Sequence, residues 1–283
     1  MKEKTIYLDL KDYSVSGEEF QLLYNKELDM LETHPRPSLE KLPDYYKSEN
    51  YISHTNSKRN VFEKVYHLVK SYALNRKLKL INSLVNSQGN LLDVGCGTGD
   101  FLEIAKDNGW QVSGIEPNED ARNSANQKTE QSVFKPEELH RLEPNSFDVI
   151  SLWHVLEHLP KLEEHISVFK KLLKPDGRLI IAVPNFKSYD ANWYQHFWAA
   201  YDVPRHLWHF SKTSISKLIL KNEMRVEKHL PMKFDSYYVS LLSEKYKTGR
   251  MKFFSGFWIG WRSNRKAKYT GEYSSLIYVI KND

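Results

Sequence analysis

LLDVGCGTGDFL, residues Leu91 to Leu102, joins a short apolar run to a glycine-rich turn and then to the start of an amphipathic pattern that ends at Gly109. The run reads as a buried strand and the pattern after it as a helix, so the stretch is a strand, turn and helix in succession. In the turn, Gly95, Gly97 and Gly99 alternate with Cys96 and Thr98. Glycine is needed where the backbone takes positive φ or passes close to a ligand with no Cβ in the way. A dinucleotide-binding turn, G-x-G-x-x-G, would place its third glycine at position 100, which is Asp100 here. The spacing tells against a nicotinamide cofactor.

Downstream, strand and helix signals alternate. QVSGIEP predicts a second strand, with a helix starting near Asn118. FDVISLW predicts a third strand, followed directly by HVLEHL, and LKPDGRLIIAVPN a turn and another strand. SKTSISKLILKNE predicts a helix capped by Ser211, and YSSLIYVI a last β run. Such alternation implies an α/β fold, a doubly wound and mostly parallel sheet covered on both faces, with ligands beyond the carboxyl ends of its strands. The first 56 residues show only short amphipathic pieces and a proline-marked loop, HPRPSLEKLPDYY. From Ser57, Val61, Phe62, Val65, Leu68, Val69 and Tyr72 form a helical stripe reaching to about Val85. The expected organisation is a mainly helical lid or cap segment over 1–86 and the α/β domain over 87–283.

Two carboxylates face the glycine turn. Glu116 ends the second strand, where an acidic residue accepts the hydroxyls of an adenosine ribose, and Asp93 stands just before the glycines. Carboxylates would repel a phosphate-rich ligand and attract a cationic, phosphate-free one, which is the profile of S-adenosylmethionine. The sequence HVLEH raises a different chemistry, because His154, Glu157 and His158 have the spacing of an inverted zinc-peptidase motif. Its place at the carboxyl end of a strand, where the methyl donor should lie, favours a cofactor-side turn over a zinc helix. No metal is expected.

The chain resembles the class I S-adenosylmethionine-dependent methyltransferases: LLDVGCGTGDFL matches their first motif, GIEPNEDA their second, FDVISLWHVLEHLP their post-strand-four motif and LKPDGRLIIAVPN their fifth-strand motif. The similarity runs from roughly Asn90 to Asp283. HVLEH with VPN and DVPRHLWHFS resembles the branch that holds ubiquinone-type O-methyltransferases and uncharacterised bacterial relatives. The resemblance implies a seven-stranded sheet of order 3-2-1-4-5-7-6 with its seventh strand antiparallel. It implies that Gly95, Cys96, Gly97 and Gly99 approach the methionine part of the cofactor, that Glu116 and Pro117 hold the ribose, and that Trp153 and His154 form the wall beside the sulfonium. Asp93 completes that set, and S-adenosylhomocysteine would be the product.

Methyl transfer asks an enzyme mainly for positioning, plus a base where the acceptor is a hydroxyl. His154, first after the strand, is the candidate base; the alternative is a ring that only shapes the pocket. NWYQHFWAAYDVPRHLWHFS, 192–211, supplies Tyr194, His196, Arg205, His206 and His209 as candidate acceptor contacts, against the alternative of an aromatic plug closing the core. Tyr51 and His54 are lid candidates over the cofactor.

The bulk composition agrees with these expectations. Hydrophobic residues make up 40% and charged ones 27%, as in ordinary folded chains, and the lone cysteine, Cys96, gives no disulfide framework. The start, MKEKTIYLDLKDY, has no apolar signal region, so a cytoplasmic enzyme is expected. The net charge of +5 is local: Lys245 to Lys268 holds eight basic residues and no acidic ones, leaving 5 − 8 = −3 for the remainder. The body therefore gives no reason to expect nucleic acid. The basic and aromatic stretch MKFFSGFWIGWRSNRK is more commonly a helix packed between the last strands than a peripheral membrane contact. The expected partner is a small-molecule acceptor, methylated at oxygen. The alternatives are an RNA or protein acceptor, or a protein that binds the cofactor without catalysis.

Overall fold

The computed structural model describes residues 4–38, 40–46 and 61–283, with only the backbone at 43 and 61–68. Tyr51 and His54 lie outside the described residues. The first long helix, α1 (Val61–Asn82), leads into the main sheet. Of the stripe expected on it, Val69 and Tyr72 are exposed rather than packed inward.

The main sheet has seven strands: β4 (Asn90–Val94), β5 (Gln111–Ile115), β6 (Val133–Phe134), β7 (Phe147–Trp153), β8 (Leu173–Pro184), β10 (Met224–Pro231) and β11 (Ser275–Asn282). Their order is β6-β5-β4-β7-β8-β11-β10. Numbered within this sheet it is 3-2-1-4-5-7-6, with β11 antiparallel to both neighbours, as the resemblance implies. Helices α2 (Asp100–Asp107), α3 (Glu119–Thr129), α4 (Leu162–Leu172) and α6 (Lys212–Lys221) link the strands. The caps form where the sequence put them: Asn118 accepts from Ala121 N, and Ser211 and Ser214 complete a capping box. Central strands are apolar on both faces, with Leu91, Leu92, Ile150, Leu152, Ile180 and Ile181 fully buried.

The N-terminal segment differs from the mainly helical reading. Strands β1 (Thr5–Lys11), β2 (Glu19–Asn25) and β3 (Met30–His34) form an antiparallel sheet that β9 (Trp208–His209) completes. Asp12 shapes the first turn, its carboxylate accepting from the backbone N–H of Ser14, Val15 and Ser16. A second core lies under this sheet, where Leu10, Phe20 and Leu22 meet Tyr194, Trp198, Tyr201 and Val203. The aromatic stretch at 192–211 is therefore largely the plug that its alternative reading described. Helix α5 (Tyr189–Tyr194) belongs to it, and the hairpin α7 (Asp235–Thr248) and α8 (Phe253–Thr270), inserted between β10 and β11, closes its far side.

Arg205 ties the two sheets together. Its guanidinium donates to Asp202 Oδ1 (2.6 Å) and Oδ2 (2.9 Å), to Asp12 Oδ1 (3.3 Å) and to the Tyr45 carbonyl (2.9 Å). Replacing it would leave the fully buried Asp12 carboxylate without its cation. Arg205→Ala is expected to cost about 3 kcal/mol of stability, read as a lowered urea midpoint. A loss within a few tenths of a kcal/mol would show that the small sheet does not depend on this pair.

Candidate active site

The carboxyl ends of β4 and β7 lie side by side, because the two strands are parallel neighbours with Asp93 opposite Ser151 and Val94 opposite Leu152. Both turns that the sequence singled out therefore open at one edge. In the first turn Gly95, Gly97 and Gly99 all take positive φ (70°, 55° and 78°). Their reasons differ. A Cβ at Gly95 would stand 2.5 Å from Val155 and one at Gly99 2.8 Å from Ala125, whereas one at Gly97 would meet nothing within 4 Å. Gly95 and Gly99 are required by packing, and Gly97 leaves the backbone bare toward open space.

Glu116 is buried beside that opening, its Oε2 accepting from Gly97 N (2.8 Å) and its Oε1 from Asn118 N (2.9 Å). Burial raises its pKa, and the two N–H groups and Arg122 oppose the rise. Each oxygen keeps a further lone pair for a hydroxyl donor. Arg122, which no motif singled out, donates to the carbonyls of Glu116 (2.9 Å) and Pro117 (3.1 Å) and so fixes this turn. Asp93 is buried and accepts from Ser151 Oγ at 2.6 Å. Burial pushes its pKa up to about 6, against the pull of Lys77. Cys96 sits within the turn, its thiol pushed well above the ordinary range by burial and by Asp93 and Glu116. It is no nucleophile.

Lys77, from α1, reaches into the same region. Its ammonium lies 4.5 Å from the centre of the Trp153 ring and 5.6 Å from that of Phe101. Burial lowers its pKa, while Asp93, Asp235 and Asp100 hold the charge. A cation is thus already accommodated between the Trp153 face and buried carboxylates. Trp153 Nε1 is buried without a hydrogen-bond partner among the described residues.

His154 takes positive φ (58°) and its backbone N–H donates to Ala182 O (2.9 Å). Its ring spans two carboxylates: Nδ1 lies 3.3 Å from Glu157 Oε1 and Nε2 3.0 Å from Asp235 Oδ2. Burial would lower its pKa, but the bonds to Asp235 and Glu157 outweigh it and raise the value to about 10. A ring donating from both nitrogens is an imidazolium, with no lone pair for a proton. In this arrangement His154 is a fixed cation and not a ready base, because Asp235 arrives from α7, 81 positions away.

The remaining members of HVLEH form a second cluster. Glu157 is fully buried, held ionised against burial first of all by the hydrogen bond from His154, and its Oε2 has no hydrogen-bond partner among the described residues. His158 Nδ1 faces the Arg205 carbonyl (3.0 Å) and His206 Nδ1 the Ala200 carbonyl (2.9 Å). Those carbonyls accept the proton on each Nδ1 and so orient both rings, as hydrogen-bond partners behind metal-binding histidines do. Burial and His206 bring the His158 pKa down to about 4, so the ring is neutral at pH 7. One donor atom from each of Glu157, His158 and His206 falls within 4.8 Å of the others. Although no metal was expected, these residues form a group able to hold one.

The expected acceptor contacts separate. Tyr194 is buried and donates to Glu244 Oε1 (3.1 Å), and His209 is buried against Thr33 Oγ1 (3.0 Å), its pKa held well below the ordinary range by burial and His206. Both, with Arg205, are internal pins and not open pocket walls, because the N-terminal sheet covers them. His196 lies at a tilt against Phe197 and lines a small cavity with Tyr13, Ser14, Arg205 and Tyr246 that includes none of the glycine-turn residues. Of these candidates, His206 joins the HVLEH turn by its side chain and Arg205 by its carbonyl.

The family described as a methyltransferase domain matches residues 61–229. A ubiquinone biosynthesis O-methyltransferase from Coxiella burnetii is 31% identical over 122 residues, covering 40% of this chain and 52% of the relative. One of the same name from Vibrio atlanticus is 32% identical over 135 residues, covering 44% and 56%. The chain thus matches about half the length of these relatives. Among solved structures, magnesium protoporphyrin IX methyltransferase from Synechocystis PCC 6803 with bound SAH superposes with a TM-score of 0.57 at 15% identity, over 87% of this chain and 100% of that one. A SAM-dependent methyltransferase from Archaeoglobus fulgidus gives 0.52 at 20% identity, over 75% and 94%. These likenesses bear on the fold.

A raised histidine pKa has a defined pH signature. The stabilisation from the His154 bracket is complete below the ordinary value of 6.5 and is lost as the pH rises through about 10. The NMR titration of His154 is expected to show no midpoint between pH 5 and 8, and Asp235→Asn to bring the midpoint down to about 7. A wild-type midpoint near 6.5 would mean that the ring is not held between the two carboxylates.

Proposed function

This chain belongs to the methyltransferase domain family, and from that footing we propose that it transfers a methyl group from S-adenosylmethionine to an oxygen of a small-molecule acceptor. The observation that carries the reading is the edge where β4 and β7 end. A bare Gly97 backbone, the Glu116 carboxylate with lone pairs to spare and a cation subsite between Trp153 and Asp93 lie together there. The sulfonium supplies an electrophilic methyl when the donor is bound. Glu116 would take the ribose hydroxyls, the glycine turn would pass under the methionine chain, and Trp153 would face the positive sulfur. Lys77 now holds that charge and must yield its place. The O-methyltransferase names of the relatives support oxygen as the acceptor atom, since a hydroxyl needs only alignment and somewhere for its proton to go. His154, doubly hydrogen-bonded, positions the turn, and Nε2 of the neutral His158 offers a free lone pair.

A second feature favours a metal-assisted form of the same reaction. The orphaned Glu157 Oε2 is a buried carboxylate oxygen beside two histidines whose Nδ1 atoms face backbone carbonyls. A nitrogen-rich set of this kind suits a borderline divalent cation such as zinc. Held there, the ion would supply Lewis-acid activation of an acceptor hydroxyl.

Calorimetric titration of the metal-stripped protein with S-adenosylmethionine is expected to show micromolar binding, weakened about tenfold to hundredfold by Glu116→Ala through loss of charge-assisted hydrogen bonds. Absence of binding would refute the reading, and binding without turnover over a panel of phenolic acceptors would point to a non-catalytic binder. For the metal, dialysis against zinc followed by elemental analysis should give near-stoichiometric uptake that Glu157→Gln reduces at least about tenfold. Equal uptake by both proteins would remove the ion from this cluster.

A further inference from the structure

Helix α8 packs against α7 through residues without bulk. A Cβ on Gly256 would come within 2.9 Å of Leu241, and one on Gly260 within 2.9 Å of the Ser236 carbonyl and of Tyr237. Ile259, Ser263 and Ala267 complete this buried face. The inner side of the helix is therefore full, and nothing larger fits there.

The opposite side carries the aromatic residues. Phe254 is 96% exposed, Phe257 61%, Trp258 54% and Trp261 36%. Positions 254, 257, 258 and 261 recur at helical spacing, so the four rings form one stripe, which Arg265 and Lys268 continue toward the carboxyl end. Trp258 and Trp261 stack on each other (4.9 Å), and Phe257 stacks on Tyr237 of α7 (4.8 Å). A monomeric surface seldom gathers large apolar side chains in this way without a partner for them. The two cores described above are filled without these rings.

Charge identifies the occupant. The segment from Lys245 to Lys268 carries eight cations and no anions. Arg250, Lys252, Arg265, Lys266 and Lys268 are all exposed around the aromatic stripe. A second copy seated symmetrically would bring the two cationic sets face to face, which disfavours a dimer. An anionic surface neutralises them. Tryptophan and phenylalanine rimmed by lysine and arginine suit the headgroup layer of a bilayer, where the rings enter the acyl boundary and the cations meet phosphate. Among the described residues no helix is long and apolar enough to cross a membrane, so the contact is peripheral.

We propose that the outer face of α8, built on Phe254, Phe257, Trp258 and Trp261 with Arg265 and Lys268, docks the protein on anionic phospholipid membranes. The α7–α8 hairpin is also bound to the site. Asp235, at the start of α7, holds His154, and Phe234 beside it packs on Tyr72 of α1. Docking therefore sets the orientation of the catalytic edge relative to the lipid surface. The inference stands independently of the methyl-transfer reading, because its test needs no donor.

Sedimentation with phosphatidylcholine vesicles containing about 30% phosphatidylglycerol provides the test, at an anionic content sufficient for surface attraction. The whole chain is expected to pellet with these vesicles and not with pure phosphatidylcholine, and to be released at about 0.5 M salt, where the Debye length falls to a few ångströms. Phe254→Ser with Trp258→Ser, and separately Arg265→Glu with Lys268→Glu, should each weaken binding at least about tenfold. All four side chains are exposed, and circular dichroism checks that both variants fold. Three results would overturn the proposal: no partition into anionic vesicles, partition that both variants retain, or light scattering that shows a dimer dispersed by the aromatic variant with no vesicle binding.

Discussion

The parallel pairing of β4 with β7, closed by the buried hydrogen bond from Ser151 Oγ to Asp93 Oδ1 at 2.6 Å, is the constraint on which the site depends. It sets the ends of two strands level, so the glycine turn and the Trp153–His154 turn open toward the same space. Neither turn alone is a site. A glycine loop offers bare backbone, and a strand end offers an aromatic face; the register between them makes a cleft with a carboxylate floor.

Charge inside that cleft is arranged by partners from distant parts of the chain. Asp93, deeply buried, is pushed up to about 6, whereas Asp100, paired with Lys128 and Lys70 and bonded to Thr98, is brought down to about 2 despite burial. Residues seven positions apart thus hold protons very differently. His154 and Lys77 supply the compensating cations, one between Glu157 and Asp235, the other over Trp153. Lys77 thereby opposes the rise that burial imposes on the Asp93 pKa.

The second sheet shows where local reading falls short and why. Leu10, Phe20 and Leu22 do alternate along their strands about a turn closed by Gly17, and this period-two signal was available in the sequence. Polar and aromatic residues between them obscured it, because one face of that sheet looks to solvent. The aromatic density at 192–211 was visible, but its purpose was not. Tyr194, Trp198 and Tyr201 are fully buried because a sheet from the opposite end of the chain lies over them. By contrast the α8 stripe remains outside, since Gly256 and Gly260 bring the two hairpin helices too close for rings to lie between them.

What the sequence by itself determined is an alternating α/β chain with a mostly parallel main sheet, and the strand order followed from the family resemblance. Continuous apolar strands, capped helices and an alternating glycine turn are local features, and parallel α/β connections leave few topologies open to them. Glu116 and the glycines could be named for the same reason, since each stands at a strand end, whereas Trp153 was named through the resemblance. The tertiary structure alone decided the state of His154. Its second carboxylate, Asp235, lies 81 positions away, and a histidine becomes a base or a fixed cation according to what stands at its two nitrogens. It alone also drew His206 to Glu157 and His158, because proximity across 48 positions is a product of packing, which sequence spacing does not record.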